Sequence, residues 1–196
     1  MNLVLIGFMA SGKTAVGRRV ARKLGYRFLD TDQFIEAELG RTISDIFATE
    51  GEAYFRALES RLARSLGTLH NHVIATGGGM ALAPGNLEAL RQAGPVIFLR
   101  ADPAEIIRRL ERDTRRPKVQ GGDLEQRVRQ LYGERMPTYV QADVVIDTAG
   151  KSVNWVAGEV LRQVGRFLGT RQPPGPPPAG PQPDPAPAPD AGATQE

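Results

Sequence analysis

Gly7, Gly12, Lys13 and Thr14 stand in the spacing G-x-x-x-x-G-K-T within "LIGFMASGKT", close to the start of the chain. Glycines in that order let successive backbone N–H groups converge on phosphate oxygens at a helix N-terminus, where the helix dipole also favours anions. Lys13 can then reach the terminal phosphates of a nucleotide while the Thr14 hydroxyl meets Mg²⁺. The chemistry is nucleoside triphosphate binding, and it leaves the phosphate acceptor open.

Four further groups bear on that acceptor. Asp30 and Asp32 in "FLDTD" follow a short apolar run, and the two-residue period of a strand puts both carboxylates on one side. One could stand near the Mg²⁺ water shell and one at an acceptor hydroxyl, although Asp32 could equally cap the next helix. "TGGG", Thr76 to Gly79, places three glycines after a strand, which is costly unless backbone must approach a ligand or turn sharply. Arg56 shares a helix face with Glu52 and Glu59, and Arg135 lies in "ERMPTY" just before a proline. Arginine holds carboxylates through paired hydrogen bonds, but each of these is also readable as an ordinary surface or ion-pair residue. Finally Arg108 to Asp123, charged and turn-rich, reads as a long loop able to close over a site, bringing Arg109 and Arg116 to phosphates only when closed.

The elements that must position these residues alternate. Asn2–Gly7, "RFLD", "HVIA", "PVIFL" and "DVVID" read as strands; helices are expected from Lys13 to Gly25, from a cap at Thr31 or Asp32 to Gly40, and through "TISDIFATEG". Others follow over Glu52–Leu66, Asn86–Gln92, from Asp102 and Pro103, over Leu124–Met136, and over Ser152–Leu168 with Val153, Val156, Val160 and Val164 inward. Five short apolar runs interleaved with helices specify one α/β domain, a parallel sheet covered on both faces, with ligands beyond the carboxyl ends of its strands. Trp155 and the tyrosines read as core or boundary residues, and His70 and His72 as surface residues of a loop.

Composition narrows the classes. No cysteine is present, which excludes disulfides and thiolate metal sites. The net charge is +3, but arginine supplies 21 of the 25 basic residues and they are spread without a dense block, so nucleic-acid binding is not expected. No transmembrane window or charged leader stands out, so a cytoplasmic protein is expected. From about residue 169 to Glu196 the proline-rich sequence offers no periodic apolar pattern and reads as a disordered tail.

Taken together, "GFMASGKT", "LDTD", "GRTISDIFATEGEAYFRALE", "TGGG", "RRP" and "RMPTYVQAD" resemble, in order from Asn2 to about Leu168, the shikimate kinase family. The resemblance implies a three-layer P-loop kinase fold with sheet order 2-3-1-4-5, in a domain of residues 1–168 with a lid at about 111–123. It implies transfer of the ATP γ-phosphoryl group to the 3-hydroxyl of shikimate, in the route to chorismate and aromatic amino acids; a monomer is expected because no exposed apolar helix face stands out in the sequence. Met9, Ala10, Ser11, Gly12, Lys13, Thr14 and Ala15 would hold ATP, with Arg109 beside the adenine and Arg116 at the transferred phosphoryl group. Thr14 and Asp30 would serve Mg²⁺. Asp32 would act on the hydroxyl, Arg56 and Arg135 would clamp the carboxylate, and Gly77, Gly78 and Gly79 would lie against the ring. Lys13, Asp32 and Arg116 would be the catalytic residues. One departure stands out: Lys118 and Val119 follow "RRP" where the family carries leucines, which is expected to alter lid packing before phosphate chemistry. Other small-molecule P-loop kinases, acting on gluconate or a nucleoside monophosphate, and a nucleotide-binding regulatory module are the competing readings.

Overall fold

In the computed structural model, which describes residues 1–112 and 124–170, the apolar run Leu3–Ile6 is wholly buried and forms the central strand, β1. It pairs in parallel with β3 (His72–Ala75) on one side and β4 (Val96–Arg100) on the other. β2 (Arg27–Asp30) and β5 (Val144–Asp147) complete a five-stranded parallel sheet in the order β2-β3-β1-β4-β5. Burial on both faces is why β1 and β4 are continuous apolar runs and do not alternate.

Alternate residues of the inner strands β1, β3 and β4 feed two cores. Leu3, Leu5, Val73, Ile97 and Leu99 pack with Val16 and Val20 of α1 (Lys13–Leu24) and Val156, Val160 and Val164 of α8 (Val153–Thr170). Val4, Ile6, Ile74 and Phe98 pack on the other face against α4 (Gly51–Ser65), α5 (Asn86–Ala93), α6 (Pro103–Arg112) and α7 (Leu124–Tyr139). Ile35, Ile46 and Phe55 make a third, small cluster that joins α2 (Thr31–Leu39) and α3 (Ile43–Thr49) to α4. No helix among the described residues is long and apolar enough to cross a membrane.

Several expectations need correction. α2 is capped by Asp30, whose carboxylate accepts from the Asp32 N–H, and not by Thr31 or Asp32. Arg108 to Arg112 belong to α6 and not to a loop, because Ile106, Ile107 and Leu110 give the helix an apolar side that packs on the core. α7 does not stop at Met136 but runs through Pro137 to Tyr139. A proline in a helix costs a hydrogen bond and a steric clash, and here burial of Tyr139 outweighs it. Val153 is exposed while Val156, Val160 and Val164 are buried as expected. Trp155 is also exposed, with Lys151 Nζ 4.9 Å from its ring centre, and so is Tyr54. His72 opens β3 and is not in the loop before it. α8 continues to Thr170, two residues beyond the expected end of the domain.

Candidate active site

β1 ends in the P-loop. Gly7 has φ +148°, and a Cβ there would stand 2.8 Å from the Leu99 carbonyl oxygen, so no other residue fits. Gly12, at φ +95°, turns the chain into α1. Lys13 is buried, and its ammonium donates to the carbonyls of Gly7 and Phe8 at 2.8 Å each, which holds it inside the loop. Ser11 Oγ is buried in the same loop with no hydrogen-bond partner among the described residues.

The carboxyl end of β2 joins this loop to the glycine loop after β3. Thr14 Oγ1 donates to Asp30 Oδ2 at 2.8 Å. The hydroxyl of the fully buried Thr31 accepts from the Gly77 N–H at 2.8 Å, fastening the glycine loop after β3 to α2. A Cβ on Gly77 would lie 2.3 Å from Asp32 Oδ1 and 2.8 Å from Glu59 Oε1, so both carboxylates close on that glycine. A Cβ on Gly79 would lie 2.2 Å from Arg56 Nη1, and one on Gly78 3.7 Å from Arg135 Nη1. Gly77 and Gly79 are needed because two carboxylates and the Arg56 guanidinium occupy the space where their side chains would go, whereas a Cβ on Gly78 would meet only ordinary contacts.

Arg56 is held by carboxylates of its own helix: Glu59 accepts from Nη1 at 2.6 Å and Glu52 from Nη2 at 2.8 Å. Glu59 is 1% exposed, and its Oε1 has no hydrogen-bond partner among the described residues. Burial pushes its carboxyl above the ordinary range, the Arg56 hydrogen bond and charge oppose this, and the nearby Asp32 charge adds to it. Arg135 lies over the Phe8 ring, 5.2 Å from its centre, so this arginine rests on a P-loop side chain. Arg109 donates to the Ala10 carbonyl at 2.8 Å and pairs with Glu105. It therefore reaches the P-loop from α6 with no need of a closing segment, contrary to the expectation from sequence. Arg116, Lys118 and Val119 lie outside the described residues, as do residues 113–123 of the expected lid and 171–196 of the expected tail.

One cleft of about 880 Å³ is bordered by the P-loop from Met9 to Thr14, Asp30, Asp32, Arg56, Glu59, Gly77 to Gly79, Arg109 and Arg135. Sequence reasoning missed other parts of its wall: Ile43, Phe47 and Phe55 supply an apolar patch, and Thr148, Lys151 and Val153 come from the segment after β5. Only the helical spacing of Phe55 hinted at the first, and nothing in the sequence marked the second.

A family model described as "SKI: Shikimate kinase" matches residues 9–165. The chain belongs to the shikimate kinase family. The shikimate kinase of Caldanaerobacter subterraneus subsp. tengcongensis is 45% identical over 161 residues, spanning 82% of this chain and 94% of that protein. That of Symbiobacterium thermophilum is 46% identical over 167 residues, spanning 84% and 96%. Among solved structures, the shikimate kinase from Acinetobacter baumannii in complex with shikimate has a TM-score of 0.79 at 37% identity, covering 87% of this chain and 94% of that one. The sheet order that the shikimate kinase resemblance implied is the order observed.

Proposed function

We propose that this shikimate kinase family member transfers the γ-phosphoryl group of ATP to the 3-hydroxyl of shikimate, giving shikimate 3-phosphate and ADP. The observation that carries the reading is that one cleft holds both a P-loop with its lysine and, against three glycines, a carboxylate and two arginines suited to a hydroxy acid. The phosphoryl-transfer half is supported by Lys13 seated within the loop and by the buried Ser11 hydroxyl beside it. The acceptor half is supported by Arg56 and Arg135, whose guanidinium groups stand at adjacent glycines as a carboxylate clamp requires.

In the reaction the acceptor oxygen forms a bond to the γ-phosphorus as the bond to the bridging oxygen of ADP breaks, and the hydroxyl proton leaves. Asp32 accepts or orients that proton from its place beside Gly77. Lys13 and the loop N–H groups hold the phosphates in line, and Arg109 stands at the nucleotide side. Arg116 takes the transferred phosphoryl group in this reading. Thr14 and Asp30 present two hard oxygen donors side by side, which fits Mg²⁺ bound partly through water. The ion would neutralise phosphate charge. The same reading takes residues 1–168 as one kinase domain acting as a cytoplasmic monomer, with 169–196 as a disordered tail and no role for nucleic acid or membrane.

ADP release by the purified protein with ATP and Mg²⁺ tests this, comparing shikimate, gluconate, AMP and no acceptor. Turnover with shikimate alone is the expected result. Faster turnover with gluconate or AMP, or ATP binding with no turnover on any acceptor, would reject it.

A further inference from the structure

Three successive glycines have no side chains to fix their peptides: the Gly77 and Gly79 carbonyls accept from the Met80 and Leu82 N–H groups at 3.3 and 3.0 Å, and two side chains from outside the loop hold other groups of it. One anchor is the Thr31 hydroxyl on the Gly77 N–H. The other comes from α7. Tyr139 is 1% exposed, stacks on Phe98 with ring centres 5.1 Å apart, and donates its hydroxyl to the Gly78 carbonyl. Arg135 stands one turn earlier on the same helix and faces the same phenol, with its guanidinium over Phe8. Burial raises the Tyr139 pKa, and the Arg135 charge only partly opposes it, so the hydroxyl keeps the proton it donates.

We infer that Tyr139 is a positioning residue for the acceptor, fixing the Gly78 peptide and the Arg135 guanidinium relative to each other. Because a trans peptide is planar, pinning the Gly78 carbonyl toward Tyr139 also aims the Gly79 N–H the opposite way. The two surfaces so joined, the glycine loop and Arg135, are those assigned above to the ring and the carboxylate of shikimate, and the inference rests on that assignment. It also gives a reason for α7 to continue through Pro137: a helix ending at Met136 would leave the phenol without its place on Phe98.

The test compares Tyr139→Phe with Tyr132→Phe. Both remove only a hydroxyl from a tyrosine of α7 that donates to a backbone carbonyl, since Tyr132 donates to Ala101 at 2.9 Å. A net hydrogen bond of ordinary strength corresponds to roughly a three- to tenfold change. Tyr139→Phe is expected to raise KM for shikimate by about that factor, to change kcat less, and to leave KM for ATP unchanged. Tyr132→Phe is expected to keep the wild-type KM for shikimate, with thermal unfolding of both variants showing that each is folded. A wild-type KM for shikimate in Tyr139→Phe would overturn the inference, as would equal increases in the two variants or a parallel rise in KM for ATP. Loss of the shikimate reading itself would appear separately, as a wild-type protein that does not turn over shikimate.

Discussion

Thr14 Oγ1 donates to Asp30 Oδ2 at 2.8 Å, so the first turn after the P-loop is tied to the end of β2, the pair proposed above to hold Mg²⁺. Asp30 also caps α2 through its other oxygen, at 3.2 Å from the Asp32 N–H. Asp30→Asn keeps a capping oxygen and removes the charge. It should raise the Mg²⁺ concentration for half-maximal turnover several-fold while changing stability by no more than about 1 kcal/mol. A Mg²⁺ titration at fixed ATP reads this, and an unchanged requirement would leave Asp30 with a capping role only.

Because Asp30 caps α2, Asp32 is released from that duty. Asp32→Asn should keep nucleotide affinity and thermal stability and lower turnover by about 10²- to 10⁴-fold, the range general bases contribute. Turnover at the wild-type rate would remove Asp32 from the chemistry.

Gly77 and Gly79 should respond differently to the same methyl group. In Gly79→Ala the methyl meets Arg56 Nη1, the end of a flexible side chain, so the guanidinium shifts and KM for shikimate should rise by roughly tenfold, the cost of misplacing a charged hydrogen bond. In Gly77→Ala it meets the Asp32 and Glu59 carboxylates, and the larger loss should fall on kcat. Steady-state kinetics of the pair decide it, and the reverse pattern would contradict the assignment of Arg56 to binding and Asp32 to reaction.

Glu59 gives a stability prediction with a definite sign. Burial raises its carboxyl above the ordinary value of 4.5, with Arg56, Asp32 and Arg135 as the charged groups around it. The folded protein thus holds this proton more tightly than the unfolded chain, and the stabilisation present below about pH 4.5 is lost as pH rises through the folded pKa. Glu59→Gln cannot titrate, so its Tm minus that of wild type should increase from pH 4.5 upward in the absence of substrate. A flat difference would mean that Arg56 offsets burial, and one that falls with pH that it more than offsets it.

Asn2 should matter for stability alone. It is 1% exposed, donates to the carbonyls of Leu69 and Ala93 at 2.7 and 3.1 Å, and accepts from the His72 N–H at 3.0 Å. Asn2→Ala would strand those backbone groups at the end of the sheet away from the cleft, costing about 2–3 kcal/mol. Thermal unfolding should show a loss of several degrees, with kinetic constants unchanged where the protein stays folded.

The sequence by itself determined the P-loop, because glycine spacing before a lysine and a helix permits few backbone paths, and it determined the strand and helix alternation through apolar runs and periods. It also named Asp32, Arg56, Arg109, Arg135 and the three glycines as candidates. Its local signals could not separate Asp30 from Asp32 as the helix cap, since both carry the right carboxylate and only the chain's turn chooses between them. Nor could they carry α7 past Pro137, where the deciding energy is the burial of Tyr139 against Phe98, a residue of β4. In sequence Glu59 is only a neighbour of Arg56 on one helix face, and it becomes a buried, half-satisfied carboxylate only when the chain after β3 brings Gly77 beside it. The tertiary structure decided these cases because burial and cross-chain hydrogen bonds depend on which elements meet, and those partners are remote in sequence.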